Sequence, residues 1–473
     1  MDKITGFKNI FLHKVPTNIV ARLCSLAMTA SIALGIVSGS ACAADSDATR
    51  LLKSRTAEFD KDIIRVSESV YTAVGYGVST VSMIVGSQGV VIVDTGISVE
   101  SGKQIREDFR AIADVPVKAI IFTHGHPDHI KGAPAFVDSP DVQVWAREGF
   151  GHEAQTLDSV GIKIQKQRGA MQAGFLLSPQ QRINNGVAKA YWPNRKGGIF
   201  ADASRVVPTH LLDGDRKTLS IAGIELDLVA ATGETHDGLY VWFEKESVAF
   251  AGDNFYKSWP NLYAIRGTPY RDISGWANVI DDILQERPAV VVGGHTRPVI
   301  GEKVVNETLR NFRDAIRFLL NKTVEGINKG MTPNQLVEYV VLPDKYQNLD
   351  YLRPYYGNPK WAIRAIFTGY LGWFDGNATS LFPLSDKQEA TRLAKMAGGL
   401  EALLDSANTA LIEEDFQWAA QLCDHVLAIE PDNKVAKLRK ADALTALAGE
   451  ILTATARNYY LSSAIKLRKQ AND

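Results

Sequence analysis

The chain has 473 residues, 45% of them hydrophobic and 22% charged, with 38 Gly and 18 Pro. This excludes a collagen-like, disordered or rod-like protein and, at roughly 150 residues per domain, leaves room for two or three packed domains. Fifty-two Lys and Arg against 53 Asp and Glu give a net charge of −1, so there is no general attraction for nucleic acid or an anionic membrane, and any anion site must be local.

The first segment reads as an address. Lys3, Lys8, Lys14 and Arg22 precede an uncharged apolar run from Leu23 to Val37, which ends at Ala41-Cys42-Ala43, the small-x-small pattern of signal cleavage. The expectation is a signal peptide over 1–43 and a periplasmic or secreted product without a stable membrane anchor, because the run is shorter than the roughly 20 residues of a span. An uncleaved anchor and a lipoprotein signal at Cys42 are the alternatives. Cleavage leaves Cys423 alone, so no intrachain disulfide forms.

From about Asp62 to Gly301 the chain is a series of short β-branched runs closed by Gly, Asp or Thr: 81–85, 90–93, 119–122, 142–145, 224–230, 240–243, 248–251 and 289–292. They read as strands, with a helical pattern from Val99 to Ile112 between two of them. The stretch 168–200 has neither period and is expected to be an irregular insertion. Its Phe175, Leu176, Leu177, Tyr191 and Trp192 are available to cover an apolar substrate tail or to pack on the scaffold. After Glu302 helical periodicity takes over: 304–326, 361–373, and an Ala/Leu-rich run over 386–471 that contains a tetratricopeptide-like pair at 402–448. The aromatic stretch from Trp361 to Phe374 is dense enough for core, with part of it free for a subunit interface. The expected fold class is α+β, with boundaries at 44–301 for the strand-rich domain, including the insertion, and 302–473 for the all-α domain.

His124-Gly125-His126-Pro127-Asp128-His129 follows the strand 119–122 and places three of the nine histidines at its C-terminal end. Imidazoles and a carboxylate at this density suit zinc or another divalent transition metal. On an extended turn, His124 and His126 point one way while Asp128 and His129 serve a second ion.

With Val91-Ile92-Val93-Asp94-Thr95-Gly96 on the preceding strand, this motif resembles the metallo-β-lactamase superfamily, which implies an αββα sandwich with a two-metal site at its edge. The remaining ligands are then expected in order after strands, at Glu234, Asp253 and His295. Most of that superfamily has a histidine where this chain has Glu234, and a glutamate there resembles the alkyl sulfatase branch; His236 is the substitute ligand if the loop is shifted. Asn261-Leu262-Tyr263-Ala264-Ile265-Arg266-Gly267 is similar to that branch's Asn-Leu-Tyr-x-x-Arg-Gly motif, and the resemblance implies that Asn261 and Arg266 contact sulfate. The segments 350–357 and 370–377 look like its dimerisation domain. Two departures stand out: Asp253 replaces the branch's usual second glutamate, and the sequence beyond the helical region is expected to be too short for the sterol-carrier-like domain that often holds the alkyl tail.

The resemblance implies two Zn²⁺ per chain, one held by His124, His126 and Glu234, the other by Asp128, His129 and His295, with Asp253 bridging. Two cations sharing a water lower its pKa from 15.7 towards about 7. The catalytic set is then Asp253, Arg266 and Asn261, and Asp94 is expected to fix a ligand imidazole through its other nitrogen. The implied function is hydrolysis of a small amphiphilic sulfate ester by a homodimer joined through the helical domain. A lactone, lactam or phosphate ester hydrolase is the alternative, and a non-catalytic helical-repeat binding protein comes third.

Overall fold

The computed structural model describes residues 45–189 and 206–473. The leader expected over 1–43 lies outside them, as do Tyr191 and Trp192. Two sheets carry the first part of the molecule. One has seven strands in sequence order: β1 (Asp62–Arg65), β2 (Val70–Val74), β3 (Val81–Gly86), β4 (Gly89–Val93), β5 (Val117–Ile121), β6 (Gln143–Arg147) and β7 (His210–Leu212). The other has six, also adjacent in sequence order: β8 (Arg216–Ile221), β9 (Ile224–Ala230), β10 (Leu239–Phe243), β11 (Val248–Gly252), β12 (Val290–Gly293) and β13 (Val299–Ile300). β4 to β7 are parallel, as are β11 and β12, and the other pairs are antiparallel.

Side-chain alternation decides what each strand face covers. In β4, Val91 and Val93 enter the core between the sheets, while Val90 and Ile92 face outward against Ile105 and Phe109 of the helix Val99–Arg110. In β10 and β11, Leu239, Val241, Val248 and Phe250 point into the same inter-sheet core, and Tyr240, Trp242, Ala249 and Ala251 point to the opposite face. Apolar residues on both faces explain why these strands read as continuous hydrophobic runs.

The outer face of the second sheet is covered by the helix Ile273–Gln285, capped by the Asp272 side chain on the Gly275 N–H, and by the helix Glu302–Asn328. Val305, Leu309, Phe312, Ile316 and Leu319 of the latter recur at helical spacing and are buried in one cluster with Trp242, Trp276 and Ile280. The cluster continues to Leu336, Ile363, Ile366 and Phe367, so apolar packing is unbroken across position 301. Further helices, Asp386–Ala397, Leu400–Ile412, Phe416–Ile429, Lys434–Glu450 and Ala454–Asn472, complete the all-helical region. Among the described residues no helix is long and apolar enough to cross a membrane.

The stretch expected to be irregular begins inside a helix, Ile164–Gln172, which follows a second one, His152–Ser159. Leu177 is buried against Ala448 and Leu461, so it packs on the scaffold, whereas Leu176 is exposed. Within the aromatic stretch, Ile363, Ile366 and Phe367 are core and Tyr370, Leu371 and Trp373 are exposed.

Candidate metal centre

The C-terminal ends of β5, β9, β11 and β12 lead into loops that bring the seven expected ligands together, and the end of β4 adds Asp94. His124, His126, Glu234 and Asp253 offer ligand atoms within 4.8 Å of one another, and Asp128, His129 and His295 do the same. Asp253 reaches both groups: its Oδ1 is 3.2 Å from His129 Nε2, and its Oδ2 is 3.2 Å from His295 Nε2 and 3.8 Å from His124 Nε2. This approach needs glycine at 294, where a Cβ would stand 1.9 Å from Asp253 Oδ1. His236 is exposed and outside both groups; its carbonyl accepts from Arg147 Nη1.

Each imidazole has one nitrogen turned away from the centre. Thr123 Oγ1 donates to Asp94 Oδ2 (2.9 Å) and so accepts from His124 Nδ1 (3.0 Å). His129 Nδ1 donates to Asp94 Oδ2 (2.7 Å), and His295 Nδ1 donates to the Val78 carbonyl (2.8 Å). His126 Nε2 faces Glu153 Oε2 at 3.7 Å. For His124, His129 and His295 the opposite nitrogens are thereby left facing inward, the arrangement in which outer hydrogen bonds set tautomer and ring orientation for a metal, whereas His126 Nε2 has no hydrogen-bond partner. His124 Nε2 and His126 Nδ1 face each other at 2.9 Å, and His129 Nε2, Glu234 Oε2 and Asp253 Oδ1 are buried without a hydrogen-bond partner. Converging buried acceptors are costly unless a cation lies among them. The residues present fit divalent metal.

Electrostatics inside the cluster follow from this crowding. Burial opposes ionisation of Asp253, but His295 and His129, when they hold the protons that a bound cation would displace, outweigh it and keep its carboxyl well below the usual range. Burial pushes the Glu234 carboxyl up to about 8, with Asp253 adding to the shift and Arg271 and His126 opposing it. Glu153 is pulled the other way, to about 2, because its contact with His126 and the nearby Arg271 and Arg266 outweigh burial.

Asn261 and Arg266 come from the loop after β11. The Asn261 backbone is fixed at both ends: its N–H donates to Tyr256 Oη (2.7 Å) and its carbonyl accepts from Arg271 Nη1 (2.5 Å), while its own Nδ2 is buried and unpartnered. Arg266 is one-fifth exposed, with Glu153 Oε1 at 4.0 Å. Its loop is braced by the helix Ile164–Gln172: Gln172 Oε1 accepts from the Arg266 N–H (3.1 Å), Arg168 Nη2 donates to the Ile265 carbonyl (2.6 Å) and Gln165 Nε2 to that of Gly267 (3.1 Å).

Four residues at the centre were not singled out from sequence. Glu153 backs His126; Asn254 Oδ1 accepts from the Glu234 N–H (3.2 Å); Arg271 pairs with Glu234; and Tyr356 lies within electrostatic reach of Arg266, Glu234, Asp128 and Asp253. Tyr356 stood inside a stretch quoted for resemblance, which was the one available signal.

Comparison with known proteins agrees with this geometry. Residues 74–295 match the metallo-beta-lactamase superfamily model, and residues 332–470 match the alkyl sulfatase dimerisation model. A linear primary-alkylsulfatase of Pseudomonas sp. is 33% identical over 392 residues, covering 81% of this chain and 73% of that protein. An (R)-specific secondary-alkylsulfatase of Pseudomonas sp. is 29% identical, covering 86% of this chain and 62% of the relative. The solved structure of the stereoselective inverting sec-alkylsulfatase Pisa1 from Pseudomonas sp. superimposes with a TM-score of 0.83 at 27% identity, over 90% of this chain and 68% of that one. The chain belongs to the alkyl sulfatase branch of the metallo-beta-lactamase superfamily and carries that branch's dimerisation domain.

Proposed function

We propose that this member of the alkyl sulfatase branch hydrolyses alkyl sulfate esters to an alcohol and inorganic sulfate, using two metal ions held by the seven clustered residues. The observation that carries the reading is the pair of ligand clusters joined by Asp253, with inward lone pairs and buried unpaired acceptors, in a chain similar to alkylsulfatases over most of its length. His124, His126 and Glu234 would hold one ion, Asp128, His129 and His295 the other, and Asp253 both. The nitrogen and oxygen donor set suits zinc. Divalent cations bound there supply Lewis acidity and a water acidified towards neutrality.

The protein's own groups do the rest. Asp94 keeps His129 in the tautomer that leaves its ligand nitrogen unprotonated, and the Glu153 carboxylate stands 3.7 Å behind His126 Nε2. Arg266 presents a planar fork of N–H donors that matches two sulfate oxygens, and Asn261 Nδ2 adds a neutral donor that no protein group uses. Together they orient the ester and stabilise charge on the departing sulfate. The exposed Tyr370, Leu371 and Trp373, inside the region that matches the dimerisation model, support a homodimer. The apolar run closed by Ala41-Cys42-Ala43 supports export to the periplasm or medium.

The test uses zinc-loaded protein and follows sulfate released from a medium-chain alkyl sulfate with and without chelator. Chelator-sensitive release is the expected result. Arg266→Ala should cut turnover by at least about 100-fold, the usual size for losing one charge-stabilising donor, with metal content unchanged. No release from protein holding two metals would overturn the sulfate assignment and leave lactone, lactam and phosphate esters to be tried.

A further inference from the structure

Arg271 is the deepest charged group at the centre that the reading above does not use. Its side chain is only 2% exposed. It directly precedes Asp272, whose carboxylate caps the helix Ile273–Gln285, so its backbone is anchored to a buried helix. Nη1 donates both to Glu234 Oε1 and to the Asn261 carbonyl. Nε and Nη2, which carry three of the five guanidinium N–H groups, are buried and have no partner.

This arrangement exceeds what holding Glu234 requires. One N–H on Oε1 already leaves Oε2 as the oxygen for the His124 and His126 side of the centre, and a single donor would serve that purpose. Leaving three further N–H groups buried and unpaired is costly unless an acceptor arrives. Two protein acceptors close by, Glu234 Oε1 and the Asn261 carbonyl, are already engaged by Nη1, and Glu153 makes no hydrogen bond to Nε or Nη2. Glu153 and Tyr356 each lie within electrostatic reach of both Arg266 and Arg271. A cavity of about 230 Å³ has Arg271, Glu234, Glu153 and Thr156 in its wall.

We propose that Arg271 is a second anion-contacting residue: Nη1 fixes Glu234, and the unpartnered Nε and Nη2 receive oxygens of the sulfate group alongside Arg266. The inference rests on the sulfate-ester reading. Sulfate is then gripped by two forks, one on a loop that is partly open to solvent and one buried. Arg271 thereby couples occupancy of the anion site to the position of Glu234.

The probe is inorganic sulfate, titrated calorimetrically into zinc-loaded full-length protein, with metal content measured on the same samples. Arg271→Gln keeps an amide donor for Glu234 but removes the fork, and sulfate affinity should fall at least tenfold with two metals retained. Arg271→Lys keeps the charge beside Glu234 and should recover only part of that loss, while KM for an alkyl sulfate rises more than kcat falls. Sulfate affinity within twofold of wild type in either metal-replete variant overturns the role of Arg271 and leaves the functional reading intact. If Arg271→Gln sheds metal or does not fold, Arg271→Lys decides by the same criterion. Wild-type protein that holds two metals but neither binds sulfate nor releases it from an ester refutes the functional reading, and Arg271's role with it.

Discussion

Asp94→Asn isolates what the outer hydrogen bonds contribute, because it changes one atom's chemistry and almost nothing else. Asp94 is 3% exposed, and its φ of 58° lies in the left-handed region that asparagine tolerates well, so the backbone is not the target. Oδ1 accepts from the Thr123 N–H (2.8 Å), and Oδ2 accepts from Thr123 Oγ1 and His129 Nδ1. An amide must put its NH₂ in one of those two places. Opposite Thr123 it sets donor against donor in a buried site, which costs about 1–3 kcal/mol of stability. Opposite His129 it forces the imidazole proton from Nδ1 to Nε2, the nitrogen 3.2 Å from Asp253, and so removes a ligand lone pair. Loss of such an outer partner typically weakens metal binding about 10–100-fold, or about 1.4–2.8 kcal/mol. The two costs are similar, so the variant should show one or share both. Competition with a chromophoric chelator reads the metal term, with the Asp128, His129 and His295 position weakened and the other retained. Urea unfolding of metal-free protein reads the stability term. Both metal affinities within twofold of wild type, together with a stability loss under about 0.5 kcal/mol, would refute the argument.

Two further predictions concern the scaffold. Phe312 is fully buried, with its ring 5.2 Å from that of Phe255, in a cluster that also holds strand residues Trp242 and Ala251. Phe312→Ala should cost about 3–5 kcal/mol and shift a single unfolding transition seen by both tryptophan fluorescence and far-ultraviolet circular dichroism; an unmoved transition for the strands would contradict a shared core. Glu246, between β10 and β11, accepts from Ser67 Oγ and the Ser69 N–H on one oxygen and from Ser69 Oγ on the other, tying the second sheet to the β1–β2 turn. Burial opposes its charge, yet these donors hold its pKa below the usual value, so its contribution is complete above the unfolded value of about 4.3 and disappears as pH falls through the folded one. Glu246→Gln should therefore lower Tm at pH 7, and its gap to wild type should be narrower at pH 3. A constant gap between the two pH values would count against the linkage.

The strands that pack on both faces were legible because their runs are apolar throughout; those at the margins were not. β8, Arg-Lys-Thr-Leu-Ser-Ile, is an edge strand with mostly exposed side chains, and β7 is three residues long, so neither has a run to find. The helices His152–Ser159 and Ile164–Gln172 carry few apolar residues because they cover the centre's rim rather than the core. The candidate metal centre was readable to the extent that the clustered residues lie in one hexapeptide or follow glycine-ended strands. Glu153 and Arg271 escaped notice for the opposite reason. Each is a charged residue in a polar local sequence, and only tertiary packing brings Arg271 into a buried pair with Glu234 and Glu153 up behind His126.

The helix Ala454–Asn472 lines no part of the centre, yet its Asn458 Nδ2 donates to the Gln172 carbonyl (3.3 Å) and its Ser462 Oγ to that of Met171 (3.4 Å), while Arg457 Nη1 holds the Gln181 carbonyl (2.8 Å). Gln172 is the residue whose side chain holds the backbone of Arg266. A premature stop that removes this last helix would therefore leave all seven clustered residues in the polypeptide while removing a brace behind the backbone of Arg266, the residue proposed to contact sulfate.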